Sequence, residues 1–424
     1  MGRYPGPSRR NGDREGAPPG GLRRAENRVR RAVDRDRIVI VGGGPAGLSA
    51  ARGYRAAGGR APVVILTAEP HAPYRRPPLT KEFLRGRIPP EELPIEGDAW
   101  FVRHDVELRT ATPVAALRPG DREVVLKDGG RLAYRECVLC TGSEAVRPPL
   151  PGAHLPAVHV IRTRDDSAAV AGAVRAGTRV VVIGSGFVGC EAAASLAMRG
   201  AQVTVVTPEP APQAQRLGAR VGGLLRAWLE EAGCDVRCGT AVSAIRPEGA
   251  ALRVVAEGGG GVPCDRVVLG TGARPRVALA ERAGLAVVDG AIPVDHAMRA
   301  SAGGVRCAGD VALAHNTAAG RRLRVGHWGD ALAQGEVAGR AIAGEDARWD
   351  AVPGFWSTIG GRTLKQRAWG DGWDDVRVEA AGGGFTAWYG REGRLVGVLT
   401  HGRDRDYDRG GGLVAAGAPF PPSA

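Results

Sequence analysis

At 424 residues the chain is long enough for about three domains, and no apolar run of about 18 residues marks a membrane-spanning helix. Seven scattered cysteines, an odd number, argue against a disulfide framework and for a reducing, cytoplasmic setting. The net charge of +13 suggests nucleic acid until it is localised: residues 1–37 hold eleven arginines against five acids, leaving +7 for the rest.

That first stretch is rich in Gly and Pro and almost free of large apolar residues, so burial cannot offset its ordering entropy. A disordered basic tail is expected over residues 1–36. It has no apolar segment of the kind a secretory signal needs. Its single aromatic residue, Tyr4, is too little for a nucleic-acid arm, so neither nucleic acid nor membrane is expected as a partner. The remaining +7 suits an acidic partner.

Next comes RIVIVGGGPAGLSAARGYRAAGG, a β-branched run followed by G-x-G-x-x-G and an alanine-rich helical pattern. Its glycines are Gly42, Gly44 and Gly47, and a second strand, VVILTAE, brings Glu69. This strand–turn–helix–strand context is what a dinucleotide-binding fingerprint requires. The first glycine makes the turn, the second lets backbone approach a pyrophosphate, and the third lets helix pack on strand. After it stands PYRRPPLTK, residues 73–81, with no sulfur.

The strand ECVLCTG carries Cys137 and Cys140 in a C-x-x-C and ends on Thr141-Gly142. Residues three apart on a strand point to opposite faces, which is poor disulfide geometry, so buried structural thiols are expected. The pattern then repeats. RVVVIGSGFVGCEAAASLAMRGA brings Gly184, Gly186 and Gly189, then VTVVTPE with Glu209, then DRVVLGTG ending on Thr271-Gly272. In this second copy Val267 and Gly270 replace the two cysteines, which also speaks against a redox pair. Cys234 and Cys238 lack the histidines that would make a metal site, and no metal is expected.

CAGD, with Gly309 and Asp310, and HWGDALAQG, with His327 and Trp328, follow. LAQGEVAGRAIAG reads as a helix. VPGFWST opens the last segment, where VRVEA, FTAWYG and RLVGVLT read as an antiparallel meander. The final residues, APFPPSA, are expected to fray.

The order and spacing of both fingerprints, PYRRPPLTK, GFVGCE, CAGD and HWGDALAQG resemble the FAD-dependent NAD(P)H:ferredoxin or rubredoxin reductases. These include the reductase components of bacterial oxygenase systems, within the glutathione-reductase-like flavoprotein superfamily. The resemblance runs from about residue 36 to the C-terminus. It implies an α/β fold with two Rossmann-like dinucleotide-binding domains, for FAD and NAD(P), plus a C-terminal α+β domain carrying the meander. The expected FAD domain covers 37–157 and 287–348, the NAD(P) domain 158–286, and the C-terminal reductase domain 349–424.

By position in that family, Gly42, Gly44 and Gly47 would lie against the FAD pyrophosphate, Arg76 and Lys81 against the flavin, and Asp310 beside Gly309 on the ribityl chain. Gly184, Gly186 and Gly189 would hold the nicotinamide nucleotide, and both Thr-Gly pairs would border the cofactors. Lys81 would pair with Glu191 near flavin N5, where its charge favours reduction. Trp328 would lie over or beside the flavin, and His327 would be structural. PYRRPPLTK stands where disulfide reductases keep a cysteine pair. The flavin would therefore take hydride from NAD(P)H and release electrons one at a time to an acidic ferredoxin or rubredoxin.

The chain departs from the family's pattern at three positions. Thr207 replaces an acid that grips the adenosine ribose, Ala68 leaves Glu69 as the ribose candidate in the FAD copy, and Gly326 replaces a glutamate before His-Trp. An NAD(P)H oxidase or a reductase of quinones or radicals would share the fold. So would a nucleotide-binding flavoprotein acting as a redox sensor or effector.

Overall fold

The computed structural model describes Met1, Gly2, residues 36–370 and residues 372–421. The tail expected over residues 1–36 lies outside the described residues except at its ends, where Asp36 accepts a hydrogen bond from Arg135 Nη1 at 2.9 Å.

Each fingerprint begins on a β-branched strand buried on both faces, as parallel sheets require. β1 (Ile38–Val41) lies between Val63–Leu66 and Glu136–Leu139, and Val106–Arg109 and Val305–Cys307 complete a five-stranded parallel sheet. Helix α1 (Pro45–Ala56) follows β1. In the second unit, α2 (Arg164–Ala173) leads to β2 (Arg179–Ile183), and α3 (Phe187–Ala197) follows it. β2 lies between Gln202–Val206 and Arg266–Leu269, with Cys234–Arg237 and Val158–Val160 at the edges, again all parallel.

The duplication is therefore three-dimensional. In both units the strand ending in Thr-Gly pairs directly with the fingerprint strand, and a three-stranded antiparallel sheet precedes it in the chain. Only the outermost strands break the symmetry. Val305–Cys307 joins the first sheet from beyond the second unit, so the chain must leave the first unit and return. The crossing is a short antiparallel ribbon, Ser143–Ala145 against Ala273–Pro275.

After the second unit, α4 (Trp328–Ile342) lies against α1. The C-terminal part is a five-stranded antiparallel sheet opening with β3 (Gly354–Ile359), closed by α5 (Asp404–Ala415). Residues 375–381, 384–391 and 394–401 form the expected meander. The end of the chain differs from expectation for residues 418–421. Ala418 O accepts from Leu395 N at 2.8 Å, and Phe420 packs on the cluster around Trp388 and Leu395, an apolar anchor that fraying would expose.

PYRRPPLTK does not pack on the sheet it follows. Tyr74, Leu79, Phe83 and Leu84 join the core of the second unit and the C-terminal sheet. Pro77–Thr80 forms one tight 3-10 turn, and its carbonyls are caught from the second unit: Ser167 Oγ donates to Leu79 O at 2.6 Å and Ser195 Oγ to Thr80 O at 2.7 Å.

Helices α1 and α4 approach so closely that only glycine fits between them. A Cβ on Gly339 would stand 2.1 Å from Ala50 O, and one on Gly335 would stand 2.2 Å from Ala46 O. Helix propensity alone would reward Gly339→Ala by about 1 kcal/mol. The contact predicts the opposite sign, a loss of about 1–3 kcal/mol and a lower Tm in a thermal melt; an unchanged or higher Tm would contradict this packing.

Candidate active site

A cavity of about 1010 Å³ opens between the two units and the C-terminal sheet. The N-termini of four helices of ten or more residues border it: α1 at Gly44, α2 at Thr163, α3 at Gly186 and α4 at His327. Of these, α1, α3 and α4 have no side-chain cap, whereas α2 starts on a Thr163–Asp166 capping box. Uncapped ends present free N–H donors and partial positive charge, which suit phosphate groups.

The fingerprint glycines shape these ends. Gly42 (φ +124°) and Gly184 (φ +99°) turn the chain where a Cβ would meet Cys140 O at 2.0 Å and Gly270 O at 2.6 Å, the ends of the Thr-Gly strands. Gly47 and Gly189 lie behind the cavity wall, each pressed on the carbonyl of the first glycine of its copy. Gly44 has open space where a Cβ would stand and borders the cavity. The cradle fits a dinucleotide such as FAD in size and in donors.

Most of the charged side chains here are paired. Glu69 accepts from Arg76 Nη2 at 2.7 Å and from Tyr74 Oη at 2.5 Å. Asp310 Oδ2 accepts from Ser143 Oγ and Arg162 Nη2, both at 2.6 Å. Glu69, Arg76, Ser143, Arg162 and Asp310, with Gly309, border the cavity around the first fingerprint. Gly142 and Gly272 border it too, but the threonines serve the crossing. Thr141 Oγ1 donates to Arg276 O at 2.9 Å, and Thr271 Oγ1, away from the cavity, to Val146 O at 2.8 Å.

Lys81 and Glu191 meet as the sequence suggested. Lys81 Nζ lies 2.5 Å from Glu191 Oε2, with both side chains over nine-tenths buried. Thr80 Oγ1 donates to the same oxygen at 2.5 Å. The other oxygen accepts from Ser357 Oγ at 2.7 Å and Thr358 N at 3.3 Å. One carboxylate therefore joins the first unit, the second unit and the C-terminal sheet. Every lone pair it offers in that buried place is used, as a buried charge requires.

Trp328, half-buried, starts α4 on the cavity wall. His327 stacks near Phe355, ring centroids 4.8 Å apart. Burial, with Arg216 nearby, pushes its imidazole down to about 4, so it stays neutral near pH 7. Thr207 is buried with its hydroxyl accepting from Ser185 Oγ at 2.8 Å, and Glu209 accepts from Gln215 N at 3.0 Å; neither borders the cavity. The seven cysteines are free. Burial pushes the Cys140 thiol up to about 12 and raises Cys137 as well, which holds both in the unreactive protonated form.

Sequence reasoning missed Arg162, Ser143, Thr80, Ser357, Phe355 and Arg216. Thr80 lies in PYRRPPLTK, and Phe355 and Ser357 in VPGFWST, but no local pattern marks their roles; the other three lie in no motif, and all six reach the cavity or its Glu191 anchor through tertiary folding. FWST was the one signal, since it placed Phe355 and Ser357 at alternate positions of a strand.

Removing Lys81 alone leaves a buried, unpaired carboxylate. Lys81→Met is expected to cost about 3–5 kcal/mol in chemical denaturation, and adding Glu191→Gln should recover most of it. Additive losses would contradict the pairing. Asp330, buried in the first turn of α4, has its carboxyl raised to about 7 by burial, from 3.8. A raised acid favours the fold below its unfolded value and loses that contribution as pH climbs to about 7. Asp330→Asn should therefore raise stability by roughly 2–4 kcal/mol at pH 8 and by little at pH 4.5; equal effects at both would refute it.

Residues 36–335 match the family described as pyridine nucleotide-disulphide oxidoreductase. The chain is 33% identical to a ferredoxin–NAD(P)(+) reductase of Sphingomonas sp over 91% of its own length and 94% of that protein. It is 31% identical to a rubredoxin–NAD(+) reductase of Pseudomonas putida, covering 77% of this chain and 85% of that one. In structure it is similar to the reductase of a covalent putidaredoxin reductase–putidaredoxin complex, with TM-score 0.85, 28% identity, and coverage of 91% and 94%.

Proposed function

The chain belongs to the pyridine nucleotide-disulphide oxidoreductase family, and on that footing we propose that it is an FAD-dependent NAD(P)H:ferredoxin or rubredoxin reductase. The observation that carries the reading is Lys81, in the cysteine-free stretch 73–81, paired with Glu191 of the second fingerprint helix beside a dinucleotide-sized cavity bordered by both fingerprints. Bound FAD supplies the chemistry, accepting a hydride and releasing electrons singly. No dithiol is needed on that route.

This chain's residues bind and tune. The first fingerprint, with Gly42, Gly44 and Gly47, holds FAD, helped by Glu69, Arg76, Thr141, Gly142, Gly309 and Asp310. The second, with Gly184, Gly186, Gly189, Thr271 and Gly272, holds the pyridine nucleotide. Lys81 presents a fixed positive charge where reduction accumulates negative charge, and Glu191 keeps the ammonium in place without water. Trp328 and the N-terminus of α4 close the wall. The FAD domain spans 37–157 and 287–348, the NAD(P) domain 158–286 and the C-terminal domain 349–424, a division supported by the two interleaved sheets. The carrier is acidic, to match the basic body, and free cysteines fit a cytoplasmic home.

Lys81→Met/Glu191→Gln, which leaves no unpaired charge, should keep FAD yet slow its reduction by NADH at least about tenfold in stopped flow. Wild-type protein should reduce a [2Fe–2S] ferredoxin or a rubredoxin under anaerobic conditions with NADH or NADPH. Wild-type rates in the double variant would remove Lys81 from the mechanism. Failure with every iron–sulfur carrier, alongside rapid reduction of oxygen or quinone, would replace the proposed acceptor.

A further inference from the structure

Six cationic side chains border the cavity, and five have a carboxylate partner. Arg76 pairs with Glu69, Lys81 with Glu191, Arg162 with Asp310, and Arg274 and Arg276 with Glu144. Arg216 has none among the described residues. Its guanidinium instead lies over two ring faces, 5.4 Å from the centroid of Phe187 and 5.3 Å from that of Phe355.

That position is specific. Phe187 is the first residue of α3, so Arg216 sits at the uncapped N-terminus of the second fingerprint helix. It is carried there by a one-turn helix, Ala214–Leu217, that follows the Gln202–Val206 strand and whose N-cap, Gln213, takes a left-handed conformation (φ +60°) and is itself buried. Trp373 Nε1 donates to Arg216 O at 2.8 Å, fixing the backbone from the C-terminal sheet. Stacking on the two rings orients the fork but leaves its N–H donors without an acceptor among the described residues. An unpaired fork-shaped cation and a helix N-terminus thus share one end of the cavity.

We propose that Arg216 is a positioning residue that takes a phosphate of the pyridine nucleotide and so holds the dihydronicotinamide in place. This rests on the reading of the second fingerprint as the NAD(P)H site. Two observations favour a nucleotide phosphate over the flavin's. The FAD end already has paired arginines, and Arg216 belongs to the unit of the second fingerprint. Thr207 bonds to Ser185 and Glu209 to the backbone of Gln215, and neither lines the cavity, so Arg216 supplies from the cavity wall a grip that these two do not.

The test compares two hydride donors on FAD-loaded enzyme, under anaerobic conditions and followed at the flavin band: NADH, and phosphate-free 1-benzyl-1,4-dihydronicotinamide. Arg216→Met should raise KM for NADH roughly tenfold or more, the loss expected for a charge-assisted hydrogen bond, with a much smaller change in kcat. Arg216→Lys should recover part of the loss, and the salt dependence of NADH binding should weaken in Arg216→Met. The rate with the benzyl donor should fall far less than the rate with NADH. An unchanged KM for NADH, or an equal loss with both donors, would overturn the assignment and leave Arg216 as an interdomain brace. If wild-type enzyme is reduced by neither nucleotide, the site reading itself fails, and that outcome is visible before any variant is made.

Discussion

A single carboxylate organises this molecule. Glu191 leaves the second turn of a fingerprint helix and accepts hydrogen bonds from Thr80 and Lys81 on one oxygen and from Ser357 and Thr358 on the other. Its partners come from segments more than 100 residues away on either side. A carboxylate this deeply buried is tolerable only when its neighbours answer it completely, so the three parts of the chain must meet at one point. The place where they meet is the wall of the cavity.

The rest of the site follows the same rule. Acids and bases around the first fingerprint neutralise each other in a chain from Tyr74 and Glu69 through Arg76 to Arg162 and Asp310. What stays unanswered is directional: three uncapped helix ends and one arginine held on aromatic rings. Those features invite negative charge into the cavity, while Lys81 keeps a buried cation close by. Neutral His327 adds no proton to this arrangement near pH 7, which leaves charge stabilisation to fixed groups.

Much of this was legible in the sequence because its signals are local. A glycine that must turn the chain against a neighbouring strand leaves a fixed spacing, and a twofold copy of that spacing is hard to mistake; hence Gly42 and Gly184 were readable. The Lys81–Glu191 pair was readable through family resemblance, since nothing in local spacing joins residues 110 apart. Arg162, Arg216 and Phe355 were not, because each acts through a tertiary contact that no periodicity encodes. The Thr-Gly pairs were placed at the right strand ends, yet their hydroxyls turned out to knit the interdomain crossing. Phe420 shows the same limit in reverse, as a Pro-rich tail with one aromatic ring found a socket that composition does not reveal.

The central claim is that the flavin is the only two-electron store in a chain whose C-x-x-C thiols, Cys137 and Cys140, are buried and protonated. An anaerobic titration of FAD-loaded protein with NADH, followed by flavin absorbance, tests it most directly. Complete bleaching at about one equivalent per flavin is the expected result. A requirement for about two equivalents would reveal a second store, make Cys137 and Cys140 a working pair, and turn the protein into a disulfide enzyme.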